Sequence, residues 1–254
     1  MATSTDIREP PTALRPTGAL AVPAGRPERV TFVIPAHNEA KLVEATLASV
    51  AAQTLRNRVE AIVAENGSDD DTAARVHNFA KRTGLRVTLL RDKKAGVARA
   101  RNHAARIAGG ELLIFLDADS RAAPDLAERV LARARGGSRA GCVRLVADGD
   151  DLLDHFFFFL VEFGKRSFGV RANLFYCRRA LYLALGGMHE ELQVAEDLDF
   201  LNRLHQSGVV VDYLGESWIA TSPRRLHGPL RVGMVAVLGR WALAQRGIGR
   251  RWPY

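Results

Sequence analysis

The chain has 254 residues, 47% of them hydrophobic and 25% charged, which suits one globular domain of about 220 residues with tails. Lys and Arg number 36 against 28 Asp and Glu, a net charge of +8 that favours phosphate-bearing partners: nucleotides, nucleic acid or an anionic membrane face. Cys142 and Cys177 stand far apart and outside any CxxC or Cys/His cluster, which argues against structural zinc and for a reducing, cytoplasmic setting.

Residues 1–28 carry five prolines and no continuous apolar core of the kind a signal peptide needs, and are expected to form a disordered leader. From Val30 onward, short apolar runs alternate with helical periodicity, the pattern of an α/β domain with a parallel sheet, expected over residues 29–222. "VTFVIP" reads as a first strand. Leu42, Val43, Thr46, Leu47 and Val50 then share one helical face, with Asn38 as candidate N-cap. "VEAIVA" is a second strand ending at Glu65, and Asp69 or Asp70 is expected to cap the helix carrying Val76 and Phe79. "LRVTLL" is a third strand, followed by a helix over "GVARARNHAARIAGG" with glycines at its end. "ELLIFL" has no polar alternation, so it is expected to be buried on both faces at the sheet centre, and Pro124 opens the next helix.

The second half is less regular and predicts a smaller mixed region. "GCVRLVAD" reads as a strand, "ANLFYCRRALYLALGG" as strand then helix, "EDLDFLNRLHQSG" as a helix, and "VVVDYL" and "SWIATS" as two short strands. Four consecutive residues, Phe156 to Phe159, cannot all face one way on a helix, so some must be core. Residues 223–254 form a basic, aromatic tail expected to be helical. Its stretch from Pro229 to Ala244 is interrupted by Arg231 and Arg240, too polar to span a membrane but suited to an interface. Trp241, Trp252 and Tyr254 among arginines make an anionic membrane surface a candidate partner on the inner face. No recognised nucleic-acid-binding module accompanies the charge.

The central strand runs into two carboxylates, Asp117 and Asp119, separated by Ala118. In open α/β sheets ligands bind beyond the carboxyl ends of the strands. Two converging carboxylates need a cation between them, and Mg²⁺ usually takes one or two protein carboxylates together with phosphate oxygens. The spacing alone leaves a second reading open, a solvated turn with Asp119 capping the helix near Pro124.

Four segments in order, "VIPAHNE", "AENGSDDDT", "GVARARN" and "DAD", resemble the family 2 glycosyltransferases of the GT-A fold, over roughly Val30 to Gly215. The resemblance implies a metal-dependent, inverting transfer of sugar from a UDP- or GDP-type nucleoside-diphosphate sugar to an acceptor it does not name, lipid-linked or small. It implies Mg²⁺ or Mn²⁺ on Asp117 and Asp119. Pro35, Ala36, His37 and Glu39 fall where the family holds base and ribose, and Glu39 can accept from ribose hydroxyls. Glu65, with Asn66 beside it, stands where Asp is usual and would meet the base, one methylene longer. Arg101 and Asn102 match the family's Ala-Arg-Asn, Arg101 as a donor-binding residue and Asn102 as packing or binding. Lys94, within the cluster Lys93, Lys94, Arg99 and Arg101, is the candidate cation at the diphosphate.

Inversion needs a carboxylate as general base toward the acceptor hydroxyl. By position that is Asp197, with Glu196 beside it, in "LGGMHEELQVAEDLDF", while Asp199 is expected to secure the loop. A helix start favours acids for dipole reasons as well. Met188 and His189 stand where Phe and Asp are commoner. In place of the Gln-x-x-Arg-Trp of processive members stands "TSPRRLHGPL", which argues for single addition and makes Arg224 and Arg225 acceptor-side candidates for a phosphate. A non-catalytic nucleotide-sugar-binding protein on the same fold is the alternative. A nucleotidyltransferase would carry a Gly-rich basic loop after the first strand, and "PAHNEAK" is not one.

Overall fold

The computed structural model describes residues 27–92, 94–168, 174–192 and 195–226, with backbone alone for 164–168 and 225–226. Its strands are β1 (Val30–Ala36), β2 (Val59–Asn66), β3 (Val87–Asp92), β4 (Leu112–Phe115), β5 (Ser120–Ala122), β6 (Ala140–Ala147), β7 (Phe175–Arg178) and β8 (Val211–Thr221). They form one sheet in the order β3-β2-β1-β4-β7-β6-β8-β5. The first four strands are mutually parallel, as the alternating pattern predicts, and β7 runs antiparallel between β4 and β6. β6 therefore points the same way as β4, and β8 lies parallel to it.

Among the described residues, seven α-helices cover the sheet: α1 (Val43–Ala51), α2 (Thr72–Thr83), α3 (Val97–Ile107), α4 (Leu126–Arg135), α5 (Leu152–Phe168), α6 (Arg179–Ala184) and α7 (Glu196–Gln206). Buried residues of α1, α2, α4 and α5 pack on one face, and those of α3, α6 and α7 on the other. Alternate residues of β4 serve both layers, Leu112 and Ile114 one and Leu113 and Phe115 the other, which is why the run has no polar position. Phe157 and Phe158 are buried while Phe156 and Phe159 are exposed, the division a helical aromatic run requires.

Several local expectations are corrected. Asn38 does not cap α1, which begins at Val43; it has φ 55°, and its Oδ1 accepts the Asp69 N–H at 2.9 Å. The cap position of α2 is Asp71, although Asp70 still accepts the Thr72 N–H at 3.0 Å and so satisfies one of the free donors of that helix start. The third strand lies two residues later than its apolar run. "VVVDYL" and "SWIATS" belong to one continuous strand, because a register jump opposite Val143/Arg144 lets β6 follow it past Gly215, Glu216 and Ser217. The three-residue β5, too short to read from the sequence, pairs with the end of β8. Of the tail, residues 223–226 form a 3₁₀ turn, and the expected helix and membrane contacts of 227–254 lie outside the described residues, as does the leader. Among the described residues no helix is long and apolar enough to cross a membrane.

Candidate active site

β4 ends at Phe115, and the chain turns sharply, the Ser120 N–H donating to the Asp117 carbonyl at 3.0 Å. Thr46 Oγ1 of α1 donates to the Ala118 carbonyl at 2.8 Å, and the Ser222 N–H donates to the Asp119 carbonyl at 3.1 Å. The turn is thus pinned from the front by α1 and from behind by the chain leaving β8. Asp119 is buried and Asp117 partly open.

Neither carboxylate lacks a cation. Arg101, on α3, donates from Nη2 to Asp117 Oδ1 at 2.8 Å and from Nη1 to Glu196 Oε1 at 2.6 Å. Burial opposes the charge on Arg101, but Asp117, Glu196 and Asp197 outweigh it and hold the guanidinium above its ordinary pKa. Glu196 is pushed above the usual glutamate range by burial, with Arg101 pulling down and Asp197 pushing up. Arg101, expected to bind the donor, is 7% exposed and paired with two carboxylates. It joins the tip of β4 to the start of α7, which brings Asp117, Glu196 and Asp197 into one site from positions about 80 residues apart.

Arg224, expected on the acceptor side, pairs with Glu39 and with Asp119 Oδ2 at 3.2 Å. Burial works against its charge, and Glu39 and Asp119 raise its pKa above the ordinary value. Arg225 follows in the 3₁₀ turn, and its side chain lies outside the described residues.

Beneath the carboxylates lies a feature the sequence did not reveal. The Phe115 ring stacks on Phe175 with centroids 4.5 Å apart, Phe175 stacks on Phe200 at 5.6 Å, and Tyr182 closes the cluster against Phe200 at 4.7 Å. Phe115 is two residues before Asp117 and Phe200 three after Asp197, so one rigid aromatic stack carries both acidic points. Their dispersion along 85 residues of sequence hides the cluster from any local pattern. α7 starts abruptly, with Ala195 at φ 62°, a left-handed geometry that costs an alanine about 1 kcal/mol and turns the chain into the helix.

The loop before α7 is tied to α3. Asn102 Nδ2 donates to the Met188 carbonyl at 2.9 Å, and its Oδ1 accepts from the Met188 N–H and the Tyr182 hydroxyl, so of its two expected roles it fills the packing one. Asp199 accepts from Arg203 at 2.9 Å, and Arg203 also donates to the Leu185 and Gly187 carbonyls. His189 Nδ1 lies 3.1 Å from Asp199.

At the neighbouring strand ends, Pro35 and Ala36 are buried as the last residues of β1, and exposed His37 pairs through Nδ1 with the Asn66 carbonyl at 3.1 Å. Glu65 accepts from the Ser68 N–H, and its other oxygen is 3.3 Å from Arg91 Nε. Glu39 Oε2 and Asn66 Oδ1, at the carboxyl ends of β1 and β2, are buried without a hydrogen-bond partner among the described residues, and a polar ligand would satisfy them. Lys94 is exposed; only its backbone N–H is engaged, on Asp92, and Arg99 pairs with Asp92 as well, while Lys93 lies outside the described residues. No group of three or more metal-ligating side chains occurs among the described residues. Two carboxylates by themselves fit a cation that arrives with ligands of its own, as one bound to a diphosphate does.

The sheet order and acidic turn place the molecule among GT-A glycosyltransferase folds. The mannosyltransferase PcManGT of Pyrobaculum calidifontis, solved with GDP-Man and Mn²⁺, superposes with a TM-score of 0.67 over 91% of this chain and 67% of its own, at 25% identity. Residues 1–349 of S. aureus TarS, solved with UDP, share the fold with a TM-score of 0.63 over 85% of this chain and 72% of that one, at 17% identity. The chain belongs to glycosyl transferase family 2, whose model matches residues 31–176, more than half of its length. A validoxylamine A glucosyltransferase of Streptomyces hygroscopicus subsp. jinggangensis is 36% identical over 115 residues, 45% of this chain and 27% of that protein. The glycosyltransferase YfnE of Bacillus subtilis is 37% identical over 98 residues, 39% of this chain and 25% of it. The chain thus spans about a quarter of the length of these relatives.

Proposed function

We propose that the chain transfers a sugar, with inversion and in single additions, from a UDP- or GDP-type sugar nucleotide to an acceptor hydroxyl. The observation that carries this reading is the Arg101 bridge, which gathers donor-side and acceptor-side carboxylates around one centre. Asp117 and Asp119 would hold Mg²⁺ or Mn²⁺. Such an ion neutralises the charge that develops on a departing diphosphate. Glu39 and Asn66, with their unpartnered oxygens, would accept from ribose hydroxyls, and Glu65 from a base N–H. Arg224, which now neutralises Glu39 and Asp119, would turn its guanidinium to a phosphate oxygen when a donor enters. Asp197, next to the half-buried Glu196, would take the proton from the acceptor hydroxyl as that oxygen attacks the anomeric carbon.

Purified protein incubated with UDP- and GDP-sugars and Mn²⁺ is expected to release sugar slowly from one donor, and Asp197→Asn to lose turnover while keeping nucleotide affinity. Silence with every donor, together with nucleotide binding indifferent to chelator, would sink the reading and leave a non-catalytic binding protein.

A further inference from the structure

A cavity of about 700 Å³ lies apart from the acidic turn, between α5 and the last residues of β6. Val146, Ala147, Phe158, Phe159 and Phe163 give it apolar walls. Among the described residues β7 pairs with β6 at Ala140 to Cys142, and the cavity lies beyond these pairs. Glu162 of α5 covers the exposed edge, accepting the Leu145 N–H at 3.0 Å and the Tyr213 hydroxyl at 2.6 Å. With its carboxylate engaged in this way, the cavity offers the Arg144 guanidinium and the His155 imidazole, and neither has a hydrogen-bond or ion-pair partner for its side chain among the described residues.

The apolar walls continue outside the cavity along the helix. Leu152, Phe156, Phe159, Leu160 and Phe163 recur at helical spacing, with exposures from 40% to 83%. At 1.5 Å per residue this stripe is about 17 Å long, a track for an extended chain more than for a compact ring. The cavity also opens at the right end of the sheet. β6 runs parallel in direction to β4, and Ala147 and Ser120 pair with the same residue, Thr221, from opposite sides. Two strand spacings put Ala147 about 10 Å from the residue that follows Asp119.

We infer that this cavity and stripe bind the acceptor, and that the acceptor is a lipid-phosphate-linked sugar. The isoprenoid or acyl chain lies on the stripe and between Phe158, Phe159 and Phe163. The phosphate meets Arg144 and His155, which supply the charge complementarity that a purely apolar ligand would leave unused. The sugar then extends over the end of the sheet toward the acidic turn, about two strand spacings from Ala147. This inference rests on the glycosyltransferase reading.

The test uses the full chain, with farnesyl phosphate as probe below its micellar concentration and farnesol and inorganic phosphate as comparisons, binding being read by calorimetry. Farnesyl phosphate is expected to bind saturably, farnesol about tenfold more weakly, and inorganic phosphate not at all. Phe159→Ser and Arg144→Gln are each expected to weaken farnesyl phosphate about tenfold, while Ile107→Ser, an exposed apolar position on α3, leaves it unchanged. Both substituted side chains are exposed, and unchanged melting temperatures would show the variants folded. UDP and GDP titrated with Mn²⁺ into the same samples report the donor site separately. Nucleotide binding without farnesyl phosphate binding, or farnesyl phosphate binding indifferent to Phe159→Ser, overturns the acceptor site and leaves the glycosyltransferase reading standing. Anionic phosphatidylglycerol vesicles that bind the chain through Phe159, when monomeric farnesyl phosphate does not bind, would make the stripe a membrane-docking face and overturn the inference equally.

Discussion

Replacing Arg101 by Met keeps the volume of the side chain and removes its charge from between Asp117 and Glu196. Removing one partner of a buried ion pair costs about 3–5 kcal/mol, because the other charge stays behind without compensation. Of the two arms the Asp117 one is weaker: its side chain is 34% exposed, and solvent limits that pair to about 0–1 kcal/mol. The Glu196 side chain is 13% exposed and carries most of the loss, so about 3 kcal/mol is expected overall. For a domain of this size that is a fall of about 6–12 °C in melting temperature. The fall depends on pH. Glu196 already sits above the usual glutamate range, so as the pH rises from that range through its folded pKa the folded protein holds more protons than the unfolded chain, and the stability contribution of Glu196 declines. Without Arg101 that pKa rises further, and the deficit is expected to be larger at about pH 8 than at about pH 5. Thermal melts of wild type, Arg101→Met and Arg101→Lys at both pH values read this, with Lys recovering part of the loss. A deficit under about 2 °C, or one equal at the two pH values, refutes the dependence of Glu196 on Arg101.

Asp119→Asn is expected to abolish the part of the thermal shift by UDP or GDP that Mn²⁺ adds, and a Mn²⁺-dependent shift that survives would remove Asp119 from the metal site. Gly187→Ala should destabilise by about 2–3 kcal/mol, since Gly187 has φ 72° and an added Cβ would lie 2.4 Å from Asn102 Oδ1; a chemical denaturation midpoint unchanged by the substitution would contradict the close approach. Phe115→Ala is expected to cost about 3–5 kcal/mol and to lower turnover more than nucleotide affinity, because the stack it leaves carries α7; denaturation together with kinetics checks both parts.

Much of the first half was legible because its signals are local. Continuous apolar runs, each followed by a helical face, fixed β1, β2 and β4 to within a residue or two, and the burial of β4 on both faces followed from its lack of any polar position. Boundaries failed where a side chain served a distant partner instead of its own helix. Asn38 is spent on Asp69, and the Glu39 side chain on Arg224. The second half was harder because its pairing is non-local: β7 is wedged between strands far from it in sequence, and β8 pairs along its length with β6 through a jump in register that accommodates Gly215, Glu216 and Ser217. Among the candidate site residues, the acidic pair and Asp197 could be named from motifs. The cations could not be assigned in that way, since sequence gives a guanidinium its charge but not its partner. Arg101 proved to be buried and Arg224 to belong with Asp119, while Lys94 stayed apart from both.

The pairing of Arg224 with Glu39 also bears on the order in which the molecule is completed during synthesis. The two residues are 185 positions apart. β1 to β4 can associate early from neighbouring segments, but Asp119 gains its cation and its rear hydrogen bond only after β8 and the 3₁₀ turn behind it have emerged. A nascent chain released before residue 222 would lack both of these partners of Asp119, the Ser222 N–H and the Arg224 guanidinium, while Asp117 would keep Arg101.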